Sequence, residues 1–307
     1  MSRMLGVRTW GMIFLWSALG LVSSSPSSAQ DSAGDQELIS EADPSRSVIE
    51  WHTRYSSAME QAKDEGKMLF VFFHEAGEPD LSPFDRWLND TQDGPTLAKT
   101  MVFCHVPRDL KVVTEGKEIE LIDHPAFQHM EGRPGVAMID YVDSEDPFHG
   151  RVVSVYPLTR QRQLHTSAIA NLCRIPRGTL TQRSLVLAVC LHRDRPRSVT
   201  GRWNPILAEE SQSHSLHQAR IRVQGHHNWD SRFHRIIGRL GGSLGAQEVC
   251  AESWPGQPLM DAAEECVSSW RGSSGHWQAV SSPQESFAYD MKRGSNGVWY
   301  ATGLFAR

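Results

Sequence analysis

The chain has 307 residues, of which 39% are hydrophobic and 22% charged, and its formal net charge is −5. This supplies enough apolar material for packed cores, which excludes a disordered chain, and the length suits two domains. The lack of a strong basic field excludes the usual electrostatic footprint of a nucleic-acid binder.

The first 29 residues read as a secretory signal peptide. Arg3 and Arg8 form a basic start, and Gly11–Val22 is an apolar run too short to span a bilayer. Ser27, Ser28 and Ala29 put small residues before a cut at Gln30. The expected location is therefore secreted or periplasmic, where disulfides are permitted. Residues 30–47 are polar and read as a flexible leader. No later stretch is long and apolar enough to cross a membrane, so no stable membrane span is expected after signal cleavage.

The ordered chain is expected from residue 48. Tyr55, Ala58, Met59 and Ala62 recur at helical spacing, and Gly66 suits the helix stop. Met68–Phe73 and Met101–Val106 are continuous apolar runs, as in strands buried on both faces. Ser82–Asp90 between them reads as a helix. Pro125–Met130 reads as a short helix, and Val136–Tyr141 and Arg151–Tyr156 as strands. A helix over Arg160–Leu172 closes this region, 48–175.

Five cysteines follow the signal: Cys104, Cys173, Cys190, Cys250 and Cys266. An odd count leaves at least one thiol free or paired between chains. Cys250 with Cys266 and Cys173 with Cys190 are candidate pairs, with buried free thiols as the alternative.

The series Trp51, Tyr55, Ala58, Ala62, Gly66 and Lys67 ahead of the first core strand resembles the exported thioredoxin-like proteins. The resemblance covers roughly residues 48–172 and implies their α/β fold. The redox members carry a CxxC after the first core strand. Here that stretch is "FFHEAGEPDLSPF", Phe72–Phe84, with no cysteine. Dithiol exchange needs two thiols, so oxidoreductase activity is not expected. His74 and Glu75 lie at the edge where that chemistry would sit and read as a solvated loop.

Residues 176–202 form a connection. Thr179 and Gln182 fit a capping box before a helix over Thr179–His192, and a Pro/Arg-rich linker follows. The second region, 203–307, opens with a helix over Pro205–Gly225 that carries unusual polarity through His214, His217 and Gln218. Then come "GHHNWDSRFHRI", Gly225–Ile236, and "AQEVCAESW", Ala246–Trp254. Leu259, Ala262, Ala263, Cys266, Val267 and Trp270 make an amphipathic stripe that Gly272 ends. "SSGHW" after it reads as a polar loop. Phe287–Met291 and Val298–Phe305 form a terminal hairpin.

The order of a histidine pair His226-His227, "AQEVCAES" with Glu248, "SSWRGSSGHW" with His276 and a closing "GVWYATGLF" resembles the CAP superfamily of cysteine-rich secretory, antigen 5 and pathogenesis-related proteins. It covers roughly residues 203–307. It departs from the family pattern in "EV" for "EN" and in lacking a terminal Gln. The resemblance implies an α-β-α sandwich whose cleft is lined by His227, Glu248 and His276, with His226 as the substitute for His227. The whole chain is thus expected to be α/β (α+β).

Imidazole and carboxylate suit a divalent cation, so His227, Glu248 and His276 are also candidate metal ligands. No compact ligand motif requires a metal or any other cofactor. The expected function is an exported, non-redox binding module, more a binder than an enzyme. Its ligand would be an unknown small molecule, a lipid or a cell-envelope component. The alternative is a metal-assisted hydrolase with Glu248 as general base beside His227 and His276.

Overall fold

The computed structural model describes residues 49–242 and 245–307; the expected signal peptide and leader lie outside them. The described chain is a mixed α/β structure with several sheets.

Strand β1 (Trp51–His52) leads into helix α1 (Tyr55–Asp64), and β2 (Met68–His74) follows. Every residue of β2 is buried, which is why its sequence shows no polar alternation. Helices α2 (Ser82–Asp90) and α3 (Gly94–Ala98) lead to β3 (Met101–Pro107). Strands β4 (Lys111–Thr114) and β5 (Lys117–Glu120) form an exposed ribbon that periodicity did not reveal. Strands β6 (Gly135–Asp140) and β7 (Val152–Pro157) complete a five-stranded sheet ordered β1-β3-β2-β6-β7. The first three strands run parallel, and β6 and β7 are antiparallel.

Helix α4 (Thr166–Arg174) begins later than its apolar pattern suggests, because His165 is its N-cap and accepts from the Ala168 amide. Helix α5 (Leu180–Leu191) starts at the capping box read from Thr179 and Gln182. It is the hinge of the architecture, packing on β7 and also against the second sheet. Arg183 is buried on it. Its guanidinium donates to Ser154 Oγ at 2.6 Å, to the carbonyls of Ile175 and Pro176 at 2.9 Å and to that of Leu172 at 3.0 Å. Toward the other side, Thr181 donates to buried Asp290 at 2.6 Å.

The second sheet is ordered β8-β10-β11-β9. It is made of β8 (Arg202–Trp203), β9 (Ala246–Glu252), β10 (Ser286–Arg293) and β11 (Trp299–Ala306). Helix α6 (Pro205–Ile221) lies along β10 and β11, and α7 (Trp229–Arg239) packs against α6 and β9. Helices α8 (Leu259–Gly272) and α9 (Ser274–Ser281) pack on β9 and on each other. Trp270, which ends the apolar stripe of α8, is fully buried beside Tyr289, ring centroids 5.6 Å apart. One hydrophobic core runs through both sheets, from Phe70 and Phe103 to Phe287 and Phe305.

All five cysteines are free, so neither candidate pair is bonded. Among the described residues no helix is long and apolar enough to cross a membrane.

Candidate functional site

The site assembles at the open edge of the second sheet. Strand β9 pairs with β11 on one side only, with Glu248 opposite Leu304 and Cys250 opposite Thr302. Strand alternation puts Glu248 and Cys250 on one face. That face meets α6, where Gln218 donates to Thr302 Oγ1 at 2.9 Å. Asn204 caps α6 by accepting from the amides of Ile206 and Leu207, and Pro205 pre-sets its first turn. The helix thereby delivers His214 beside Glu248.

After α6 the chain turns at Gly225, whose φ of +155° is open to glycine and strained for other residues. The Gly225 amide donates to Gln218 Oε1 at 3.0 Å, and its carbonyl accepts from His214 Nε2 at 2.9 Å. This fixes the entry of the loop that presents His226. Helix α7 stands outside the elements expected from the sequence. It brings Arg232 into the site, and Arg235 and Arg239 anchor it to buried Glu210 on α6.

Glu248 is the centre of the arrangement. Its side chain is 1% exposed. Arg232 donates to both carboxylate oxygens, reaching Oε1 at 2.6 Å and closing on Oε2 through Nη1. His226 Nδ1 donates to Oε1 at 2.9 Å, and His214 Nε2 stands 3.8 Å from the same oxygen. Burial raises the Glu248 pKa, but the hydrogen bonds from His226 and Arg232, and the charge of Arg232, outweigh it and hold the carboxyl below its ordinary value. Burial pushes His214 down to about 4, so it is a neutral imidazole at neutral pH.

The residues after α8 form a second short helix, not the polar loop the glycines and serines suggested. Ser273 breaks the run, with φ −111° and ψ 114°, and α9 restarts at Ser274. His276 therefore sits in the first turn of a helix, and its Nε2 lies 3.2 Å from Nε2 of His226. Burial lowers the His276 pKa, and the neighbouring His226 lowers it further. The two rings and Glu248 line an open cleft of about 590 Å³ walled by Trp229, Ala246 and Ala279.

The structure brings together His226, Glu248 and His276. His227, the first choice for that position, points elsewhere, and His226, its expected substitute, takes the place beside Glu248 and His276. Neighbouring side chains in this tight loop leave in different directions. His227 Nε2 donates to the Val223 carbonyl at 3.2 Å, and its ring packs against His214 and His217. The hydrolase alternative loses His227 for the same reason. Arg232 was missed because no pattern in "GHHNWDSRFHRI" singles it out. In the sequence His214 stands out only as a polar residue on a core helix.

The donor chemistry discriminates between two ways of holding a metal ion. His214, Glu248 and Cys250 bring three ligand atoms within 4.8 Å of one another. Arg232 already occupies both Glu248 oxygens, and burial, with the charge of Glu248, pushes the Cys250 thiol well above its ordinary value. A thiolate is the ligand form, so this set fits poorly. The two Nε2 atoms of His226 and His276 fit better. Their 3.2 Å separation is close to the roughly 3.3 Å expected of two nitrogens on one tetrahedral zinc ion. Glu248 behind Nδ1 of His226 would then orient that ring without touching the ion. No protein-family model and no curated protein matches the chain.

Proposed function

We propose that this is an exported, non-redox binding protein: a CAP-like region holding a small ligand in the His226–Glu248–His276 cleft, joined to a thioredoxin-like region that serves as scaffold. The observation that carries the reading is the state of Glu248. Its carboxylate is buried, ionised and held at both oxygens by Arg232, so it acts as a fixed anchor for His226 and not as a free base. A general base must be able to reach and take a proton. The metal-assisted hydrolase reading is weakened on that point. The mixed cleft, with two imidazoles at its floor and Trp229 on its wall, suits an organic molecule with an apolar body and a hydrogen-bonding head.

The non-redox part of the reading rests on Cys104. It lies in β3 with no exposure, and burial pushes its thiol up to about 12. The second strand ends in His74 where a dithiol motif would begin.

The test is a thermal-shift panel of fatty acids, sterols and short envelope-derived glycans against the wild type and His276→Ala. Stabilisation of the wild type by one class, lost in the variant, is the expected result. Esterase or peptidase turnover that requires zinc and disappears in Glu248→Gln would replace binding with hydrolysis.

A further inference from the structure

Strand β9 is an outer strand of its sheet, and among the described residues it pairs with β11 alone. The ladder fixes which of its main-chain groups are used. The Ser253 amide donates to the Trp299 carbonyl at 2.9 Å, and the Gly245 carbonyl accepts from the Arg307 amide at 3.2 Å. Between these two pairs the register is continuous from Ala246 to Glu252. Successive residues of a strand turn their amides and carbonyls to opposite sides. Gln247, Val249 and Ala251 therefore face β11, like Gly245 and Ser253. The amides and carbonyls of Ala246, Glu248, Cys250 and Glu252 point away from the sheet.

The part of this edge from Ala246 to Glu248 opens into the cleft of about 590 Å³. Glu248 shows it directly. Its side chain is 1% exposed, yet the residue as a whole is half-buried, so it meets solvent through its main chain. Trp229 of α7 and, from α9, Gly275, His276 and Ala279 wall the opening. Toward Cys250 the edge closes, because that residue is 2% exposed and its Sγ lies 3.8 Å from His226 Nδ1.

An open edge is a row of donors and acceptors at fixed spacing, and proteins blunt it with Lys, Pro or a bulge. Ala246–Glu248 has neither Lys nor Pro, and its register shows no bulge. A fatty acid or sterol brings one polar head to these amides and carbonyls, whereas an extended chain can pair with all of them. The walls from α7 and α9 admit a single narrow strand. They obstruct the edge of a second copy, which carries its own flanking helices.

We propose that the ligand of this cleft is a short peptide in extended conformation, which adds a strand to β9 by exchanging main-chain hydrogen bonds with Ala246 and Glu248. This rests on the binding reading given above and names the class of molecule bound. Main-chain pairing supplies the affinity in such complexes, and the walls select alternate side chains.

The experiment mixes the full chain with a pool of short peptides, acetylated and amidated at their ends and randomised at every position, and identifies the retained ones by mass spectrometry. Wild type should retain a subset. Ala246→Pro should retain it roughly tenfold more weakly, as expected when one main-chain hydrogen bond is lost. The Ala246 amide points away from β11, so proline there takes no bond from the sheet, and an unchanged melting temperature checks the fold. A second arm needs no variant. The best peptide is remade with its amides N-methylated one at a time. Binding should be lost at alternate positions and kept between them. The proposal is overturned if no peptide is retained, if Ala246→Pro retains the subset equally well, or if N-methylation acts without alternation. A fatty acid, sterol or glycan that stabilises the protein through His276 and still does so in Ala246→Pro keeps the binding reading and overturns the peptide. A dimer in sedimentation that Ala246→Pro dissociates assigns the edge to a second copy and overturns it as well.

Discussion

Arg232 on α7 closes on both oxygens of Glu248 on β9, and through that carboxylate it sets the orientation of His226. The site's acid is thus held by a cation from a helix that no motif announced.

Removing that cation leaves a buried charge alone. Arg232→Met should destabilise the protein by about 3–5 kcal/mol, the range for breaking one side of a buried ion pair. Urea unfolding at neutral pH measures it. The double variant Arg232→Met/Glu248→Leu should recover much of the loss, since it removes both charges. A single variant as stable as the wild type would mean that the pair is not formed in solution.

Acid should loosen the same region through His214. Its folded pKa of about 4 lies below the ordinary value of 6.5. Between these values the unfolded chain binds the proton and the folded chain does not, so stability falls as pH drops from 6.5 toward 4. The shift is worth on the order of 3 kcal/mol. Glu248, whose folded pKa is lowered, holds its contribution above 4.5 and loses it only as pH falls further, through its folded value. Stability curves at pH 7 and pH 5 for the wild type and His214→Gln check this. The variant should show the smaller drop.

Arg183 ties α5 to β7 and to the end of α4 without any carboxylate partner. Burial lowers its pKa to about 10, so it remains charged at neutral pH through its carbonyl and hydroxyl acceptors. Arg183→Met should cost roughly 3 kcal/mol, because several buried acceptors lose their donor together. A denaturant midpoint unchanged in this variant would show that water replaces the guanidinium.

The thiols should be silent in the folded protein. Burial pushes Cys104, Cys173 and Cys190 up to about 12, and only Cys190 is partly exposed. Iodoacetamide at pH 8 should label at most Cys190 in the native chain. All five cysteines should be labelled in denaturant without reductant. Fewer adducts in denaturant would reveal a disulfide. Insulin reduction should stay at background.

Much of the fold was legible because burial and local capping write directly into sequence. The apolar runs of β2 and β3 stand at Met68–His74 and Met101–Pro107, and the Thr179/Gln182 capping box starts α5. The stripe ending at Trp270 is α8. Less was legible where one element's signal is short or mixed. The β4–β5 ribbon exposes much of its surface and carries no core pattern. Helix α9 follows α8 after a single residue, so its serine and glycine start reads as a loop.

At the site, the types of residue were set by the sequence alone: a histidine pair, one glutamate and a histidine after a tryptophan-ended helix. The sequence marked Gly225 as the end of the helix before the pair, whereas α6 ends at Ile221 and Gly225 turns the loop beyond it. Which histidine of the pair enters the cleft was decided only in three dimensions. His226 meets Glu248 because β9 presents that carboxylate toward α6 and α7, while His227 is drawn to Val223, His214 and His217 on the other side. Sequence spacing carries no record of that choice. It depends on the direction in which adjacent side chains leave a turn, and on Arg232 arriving from a helix packed across it.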